Sequence, residues 1–290
     1  MAHIPVTKTP KVYVGGAFIR SESARTFPLR GKAGVFVANI PQCTRKDLRN
    51  AVEAAAKAGP GWAKRTGYNR GQILYRLAEM LEARSAELQE AILLGEVSPA
   101  RKRQAAAEVS LSVDRLVHYA GWADKYEHLL GSVNPVSGPF FNFTVTEAMG
   151  VIGVITADAT PLLALVSLIA PAIVSGNTVV ALTSESNPYP AILLGELLAT
   201  SDLPGGVVNL LTGYRKELIP TFASHAHIRA LSAVCGPDDR RTLALGAAEN
   251  VKRARLNDPL VLDLWGESAQ GLEWIRALIE SKTTWHPVGA

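Results

Sequence analysis

From Gly150 onward the chain alternates short apolar runs with stretches of helical periodicity. The apolar runs fall at 151–156, 178–182, 207–211, 228–234 and 251–256, and helix-length segments separate them at 162–174, 189–198, 216–224 and 239–248. A strand that is apolar on both faces must be covered on both faces. Such strands joined by helices therefore predict a doubly wound, mostly parallel α/β sheet.

The first half reads differently. Residues 11–29 alternate apolar and polar positions around Gly15-Gly16, the pattern of an exposed antiparallel hairpin. Thr44 is the expected N-cap of a helix with Ala51, Ala54, Ala55 and Ala58 on one face, ending at Gly59-Pro60-Gly61. Helical patterns follow at about 70–94, with Ile73, Leu74, Leu77, Met80 and Leu81 on one side, and at about 103–130. These helices are expected to pack on the sheet. Residues 131–149 are rich in turn formers before the alternating Phe141, Phe143 and Val145, which predicts a hairpin protruding from the main body. The expected division is a main unit over 1–257, and a linker, helix and terminal strand over 258–290.

Bulk properties narrow the class. The chain has 290 residues, 48% hydrophobic and 19% charged, enough to bury a sizeable core. A net charge of +4, with both signs interleaved, gives no footprint for nucleic acid. Arg101-Lys102-Arg103 reads as a solvated helix start rather than an anion site, and Lys252, Arg253 and Arg255 read likewise. Two distant cysteines, Cys43 and Cys235, form no disulfide framework or zinc motif, and fit a reducing, cytoplasmic setting. The apolar run over 161–174 is too short for a membrane span. His225 and His227 read as a solvated pair rather than metal ligands, and no metal site is expected.

Three motifs go further. Residues 150–163 read GVIGVITADATPLL, residues 175–185 read SGNTVVALTSE, and DLPGGVVN at 202–209 is followed by LTG at 211–213. In this order and spacing they resemble the aldehyde dehydrogenase superfamily, and the resemblance extends over residues 11–257. In that family the first run continues Pro-Trp-Asn-Phe-Pro, where this chain has Ala157, Asp158, Ala159, Thr160 and Pro161. The second continues Lys-Pro-Ser-Glu, here Leu182, Thr183, Ser184 and Glu185.

The resemblance implies a checklist of reactive groups: a thiolate, oxyanion donors, a base and a nicotinamide within reach. Ala159 stands where the family has the oxyanion asparagine, and Leu182 where a lysine reaches the cofactor ribose. The family's glutamate base aligns with Asn257, beside Asp258, which reads as a turn residue before Pro259. Neither cysteine stands in the nucleophile's setting, and both read as structural thiols. No catalytic residue is therefore assigned. Ser184, Glu185 and Gly213 stand as the vestige of an NAD or NADP site, but no bound cofactor is expected: Leu182 removes a charge, and Arg240 replaces a glycine that admits the pyrophosphate, although an arginine can itself pair with phosphate; the opposing reading makes Glu185 a surface carboxylate.

In the family a second domain intervenes before the C-terminal strand, and that strand, matched here by Lys282, Thr283 and Trp285, pairs with another subunit's sheet. The resemblance thus implies an inactive subunit that assembles through residues 131–149 and this strand with a full-length, active dehydrogenase paralogue. The alternatives are a stand-alone dinucleotide-binding sensor, and an oxidoreductase whose site a partner chain completes.

Overall fold

The computed structural model describes residues 8–289. The chain opens with β1 (Val12–Val14) and β2 (Ala17–Ile19), then β3 (Thr26–Arg30) and β4 (Phe36–Pro41). Helices α1 (Arg45–Ala63), α2 (Gly67–Ala83), α3 (Ser85–Leu93), α4 (Pro99–Trp122) and the short α5 (Tyr126–Leu130) follow, then β5 (Ser132–Asn134) and β6 (Phe140–Ala148). The alternating half comprises β7 (Val151–Ile155), α6 (Leu163–Val174), β8 (Thr178–Leu182), α7 (Tyr189–Leu198), β9 (Val208–Leu211), α8 (Arg215–Ser224), β10 (Ile228–Val234), α9 (Pro237–Glu249) and β11 (Arg253–Asn257). Short α10 (Leu272–Arg276) and β12 (Ile279–Pro287) close the described chain.

The central sheet has the order β11-β10-β7-β8-β9-β1-β2. Its five strands from β7 to β11 are parallel, while β1 adds antiparallel to β9 and β2 to β1. The opening hairpin is thus an extension of the sheet, with β1 buried, rather than an exposed ribbon. Gly16 permits this at a φ of +86°, where an added Cβ would lie 2.9 Å from the Cα of Gly205.

Period-two alternation sends neighbouring residues of each parallel strand into different cores. Ile152, Val154, Val179 and Ala181 face one side with α6 and α7, while Val151, Ile155, Val180 and Leu182 face the other with α1 and α8. Every residue of α6, LALVSLIAPAIV, is buried. A helix apolar all round needs cover on both sides. That explains why α2 and α4 pack on α6, and α3 on α7, as an outer layer instead of lying on the sheet as expected.

Charged side chains close both ends of α6. The buried Glu108 carboxylate accepts from the N–H groups of Leu162 and Leu163 at 2.9 and 3.2 Å, and the buried Arg70 Nε donates to the carbonyl of Val174 at 2.8 Å. An acid at the N-terminus and a base at the C-terminus oppose the helix dipole while satisfying groups that water cannot reach.

Three helix boundaries depart from the pattern. Helix α1 runs through Pro60 to Ala63, because Trp62 is buried and its indole N–H donates to Ile173 O at 2.9 Å, holding the last turn. The segment expected as one helix from 70 breaks at Arg84, whose non-helical backbone turns Leu88, Ala91 and Ile92 into the core. The third long helix starts earlier, at Pro99 behind the Ser98 N-cap, and ends at Trp122. Arg101, Lys102 and Arg103 lie in its first turns, the latter two exposed.

A separate three-stranded sheet has the order β12-β6-β5. The terminal strand pairs with its own chain's hairpin along nine residues, from Ile279 opposite Ala148 to Pro287 opposite Phe140. This intrachain pairing occupies one edge of β12. The start of β12 is tied to the main body, where Asn177 Nδ2 donates to Leu278 O at 2.8 Å and Asn177 Oδ1 accepts from Gly150 N–H at 2.9 Å. Buried Asn177 thereby joins the roots of both strands.

Candidate functional site

Strand order reverses between β7 and β10, and in open α/β sheets ligands bind outside the C-terminal strand ends at such a point. Residues 156–160 leave β7 there, residues 183–186 leave β8, and the starts of α8 and α9 flank the mouth.

Asp158 is the hub. One carboxylate oxygen accepts from Ser184 Oγ and Glu185 N–H, each at 2.8 Å, and from Ser186 N–H at 3.3 Å. The other forms an ion pair with Arg215 at 2.9 Å. Arg215 also donates to Thr156 O, so its side chain crosses from the beginning of α8 to the end of β7. Glu185 points back at the same helix and accepts from Arg215 N–H at 2.7 Å, a carboxylate serving the α8 N-terminus. Sequence reasoning placed Asp158 at the family's tryptophan position without a role and passed over Arg215. The separation of the two in sequence hides the pair.

The two assigned cofactor residues near the hub, Ser184 and Glu185, are therefore already engaged. Gly213 follows the end of β9, two residues before Arg215. Its φ is +146°, and an added Cβ would lie 3.3 Å from both the N and O atoms of Cys43, so it lets the exit of β9 pass the β4–α1 loop. Leu182 is fully buried between Ile155 and Leu211 in register. Ala159 is exposed and has no polar side chain to offer.

Neither thiol is poised for attack. Burial pushes the Cys43 thiol up to about 12, with Asp47 adding to the effect, and its N–H donates to Thr212 O at 3.0 Å. Burial likewise raises Cys235 to about 11, reinforced by Asp239. Both stay protonated at neutral pH, and the thiolate is the nucleophile. Asn257 donates through Nδ2 to Ala233 O at 3.1 Å and binds β11 to β10. Asp258 turns the chain, accepting from Leu260 N–H at 2.9 Å, and pairs with Arg240 at 2.6 Å, which withdraws that arginine from the mouth. His225 and His227 lie with ring centroids 6.1 Å apart, and His227 N–H donates to His225 Nδ1 at 3.3 Å.

Among the basic residues in and just before β11, Lys252 and Arg255 are half-buried rather than solvated, and Arg253 is exposed. Arg255 stacks 3.7 Å above the Trp274 ring, Lys252 donates to Ala223 O at 2.6 Å, and Arg253 donates to Ile279 O. Edge position leaves these side chains free to tie α8, α10 and β12 to the sheet.

This architecture has clear relatives. The family model described as "Aldehyde dehydrogenase family" matches residues 18–258. The chain belongs to the aldehyde dehydrogenase family. It is 32% identical over 262 residues to Arabidopsis thaliana aldehyde dehydrogenase family 2 member B4, mitochondrial, covering 89% of this chain and 47% of that protein. It is 34% identical over 257 residues to Homo sapiens retinal dehydrogenase 2, covering 86% and 48%. Among solved structures, the NAD+ complex of a Bacillus cereus aldehyde dehydrogenase superposes with a TM-score of 0.82 at 25% identity, covering 87% of this chain and 51% of that one. The chain spans about half the length of the curated relatives it matches.

A dinucleotide needs hydroxyl acceptors and anion partners free at the strand ends. Here the Glu185 carboxylate is spent on α8, Ser184 on Asp158, and Leu182 brings no charge. The residues present do not fit the cofactor.

Proposed function

We propose that this chain is a non-catalytic aldehyde dehydrogenase-like subunit that assembles with a full-length, active NAD(P)-dependent aldehyde dehydrogenase paralogue and supports it. The observation that carries the reading is the three-stranded sheet. Among the described residues no strand pairs the outer side of β12, and nine residues of open edge form a template for another chain. Beside it, Val133, Phe141 and Val145 share one face and are 69%, 45% and 42% exposed, an apolar surface that rewards burial. Raised thiols at both cysteines oppose only an oxidoreductase in which this chain supplies the nucleophile.

The linker after β11 supports the same reading. Arg115, buried on α4, donates to Leu264 O at 3.1 Å and to Ala269 O, and Trp274 Nε1 donates to Ser268 O at 3.0 Å. Residues 258–271 are thereby fastened across α4, where the family's second domain would interrupt the chain. Two unbridged cysteines favour a cytoplasmic setting, and among the described residues no helix is long and apolar enough to cross a membrane.

The test is purification of the untagged chain from its native host at native expression. Co-elution with a full-length aldehyde dehydrogenase, lost on Val133→Lys and Phe141→Glu substitution, is the expected result. Recovery as a lone monomer overturns the proposal.

A further inference from the structure

We infer that the crevice at the switch point is closed by the chain's own charged side chains, and that the isolated chain has no useful affinity for a nicotinamide dinucleotide. The inference does not rest on the assembly proposal, and either can fail alone.

Two features oppose the ligand independently. The first is steric. Arg215 lies across the strand ends, bound to Thr156 O and to Asp158, with its side chain only 16% exposed. A dinucleotide entering over β8 must break this pair and strip Asp158 of its cation.

The second is electrostatic and concerns α9, a 13-residue helix whose N-terminus faces the mouth. A helix N-terminus ordinarily attracts phosphate through free N–H groups and the positive end of the dipole. Here Pro237 opens the helix and has no N–H to give, and Asp238 and Asp239 occupy the first turn, so the dipole is answered by the chain's own carboxylates. Burial foremost disfavours the ionised form of Asp239, Arg215 opposes that, and the nearby Glu185, Asp238 and Asp158 add to it. The remaining candidate, Arg240, is held by Asp258. A diphosphate would thus meet Asp158, Glu185, Asp238, Asp239 and Asp258, and two guanidiniums already in use. Gly236 itself leaves room, since nothing lies within 4 Å of an added Cβ, so charge rather than bulk closes this side.

The experiment is titration of the full chain with NAD+, NADP+ and NADH by calorimetry and nucleotide fluorescence, beside the Arg215→Ala/Asp238→Asn/Asp239→Asn variant. No saturation at millimolar nucleotide is expected for the wild-type chain, and an affinity at least about tenfold higher for the variant. Saturable micromolar binding by the wild-type chain overturns the inference. A triple variant that is folded by circular dichroism and still fails to bind overturns it too, because these side chains would then not be the barrier. Should the triple variant unfold, Arg215→Ala and Asp238→Asn/Asp239→Asn replace it as two separate variants; a gain in either supports the inference, and no gain in both overturns it.

Discussion

The frame behind the strands and the mouth at their C-terminal ends use polar residues for opposite ends. In the frame, buried polar side chains satisfy backbone. Asn209, fully buried in the DLPGGVVN motif, accepts from Gly15 N–H at 2.8 Å and donates to Val179 O and Gly206 O at 3.1 and 2.8 Å, joining three segments at once. Asn177, Glu108 and Arg70 do similar work at the roots of the hairpin and the ends of α6. At the mouth, Asp158, Glu185, Arg215 and Asp239 mainly engage one another or a helix start. Resemblance to the family is strong where a lost side chain would strand buried backbone groups. At the mouth Ser184 and Glu185 keep the family's motif, whereas Leu182 and Ala159 depart from it and Asp158 pairs with Arg215.

Four measurements can break or sharpen that contrast. The largest expected effect is at Asn209. Asn209→Ala leaves one N–H and two carbonyls short of a partner in the interior, and should cost about 2–4 kcal/mol in urea denaturation. A loss below a fifth of that would mean that the motif is not structural.

Glu108→Ala should cost about 1–3 kcal/mol by uncapping α6. Glu108 also carries a pH signature. Burial outweighs its two N–H bonds and raises its carboxyl above the ordinary range. A group whose folded pKa lies above its unfolded value contributes stability that is full below the unfolded value and fades as pH rises through the folded one. Relative to Glu108→Gln, the wild-type chain should therefore lose stability from mildly acidic to neutral pH, and a flat difference would disprove the assignment.

At the mouth the expectations shrink. Arg215→Ala should cost about 1 kcal/mol or less, because Asp158 is 38% exposed and water screens the pair. A loss as large as that at Asn209 would put the mouth with the frame. Smallest of all, Val133→Lys should shift stability by no more than about 0.5 kcal/mol, since the side chain already faces solvent. Its effect is expected in size-exclusion of the complex and not in the melting curve.

Much of the frame was legible in the chain itself. The expected runs at 178–182, 189–198 and 228–234 coincide with β8, α7 and β10, because strands and helices buried on every side must be continuously apolar. Boundaries set by partners were not legible. Pro60 should end α1, yet a buried indole 111 residues from its acceptor carries the helix on. Arg84 reads as an ordinary helical residue, and the break there follows from ion pairs with Glu87 and Glu196 and from where Leu88 must go. The assigned site divided in the same way. Ser184, Glu185 and Gly213 stand at the strand ends where the motifs put them, while the hub Asp158–Arg215 joins residues with no local signal.

By itself, then, the sequence determined the family and the parallel sheet, since each is written in periodicity or in residue identity at a fixed spacing. Only the tertiary structure decided what became of the cofactor mouth and of the final strand. Pairing of Arg215 with Asp158, of Arg240 with Asp258 and of β12 with β6 depends on distance in space, and composition and spacing along one chain do not encode that distance.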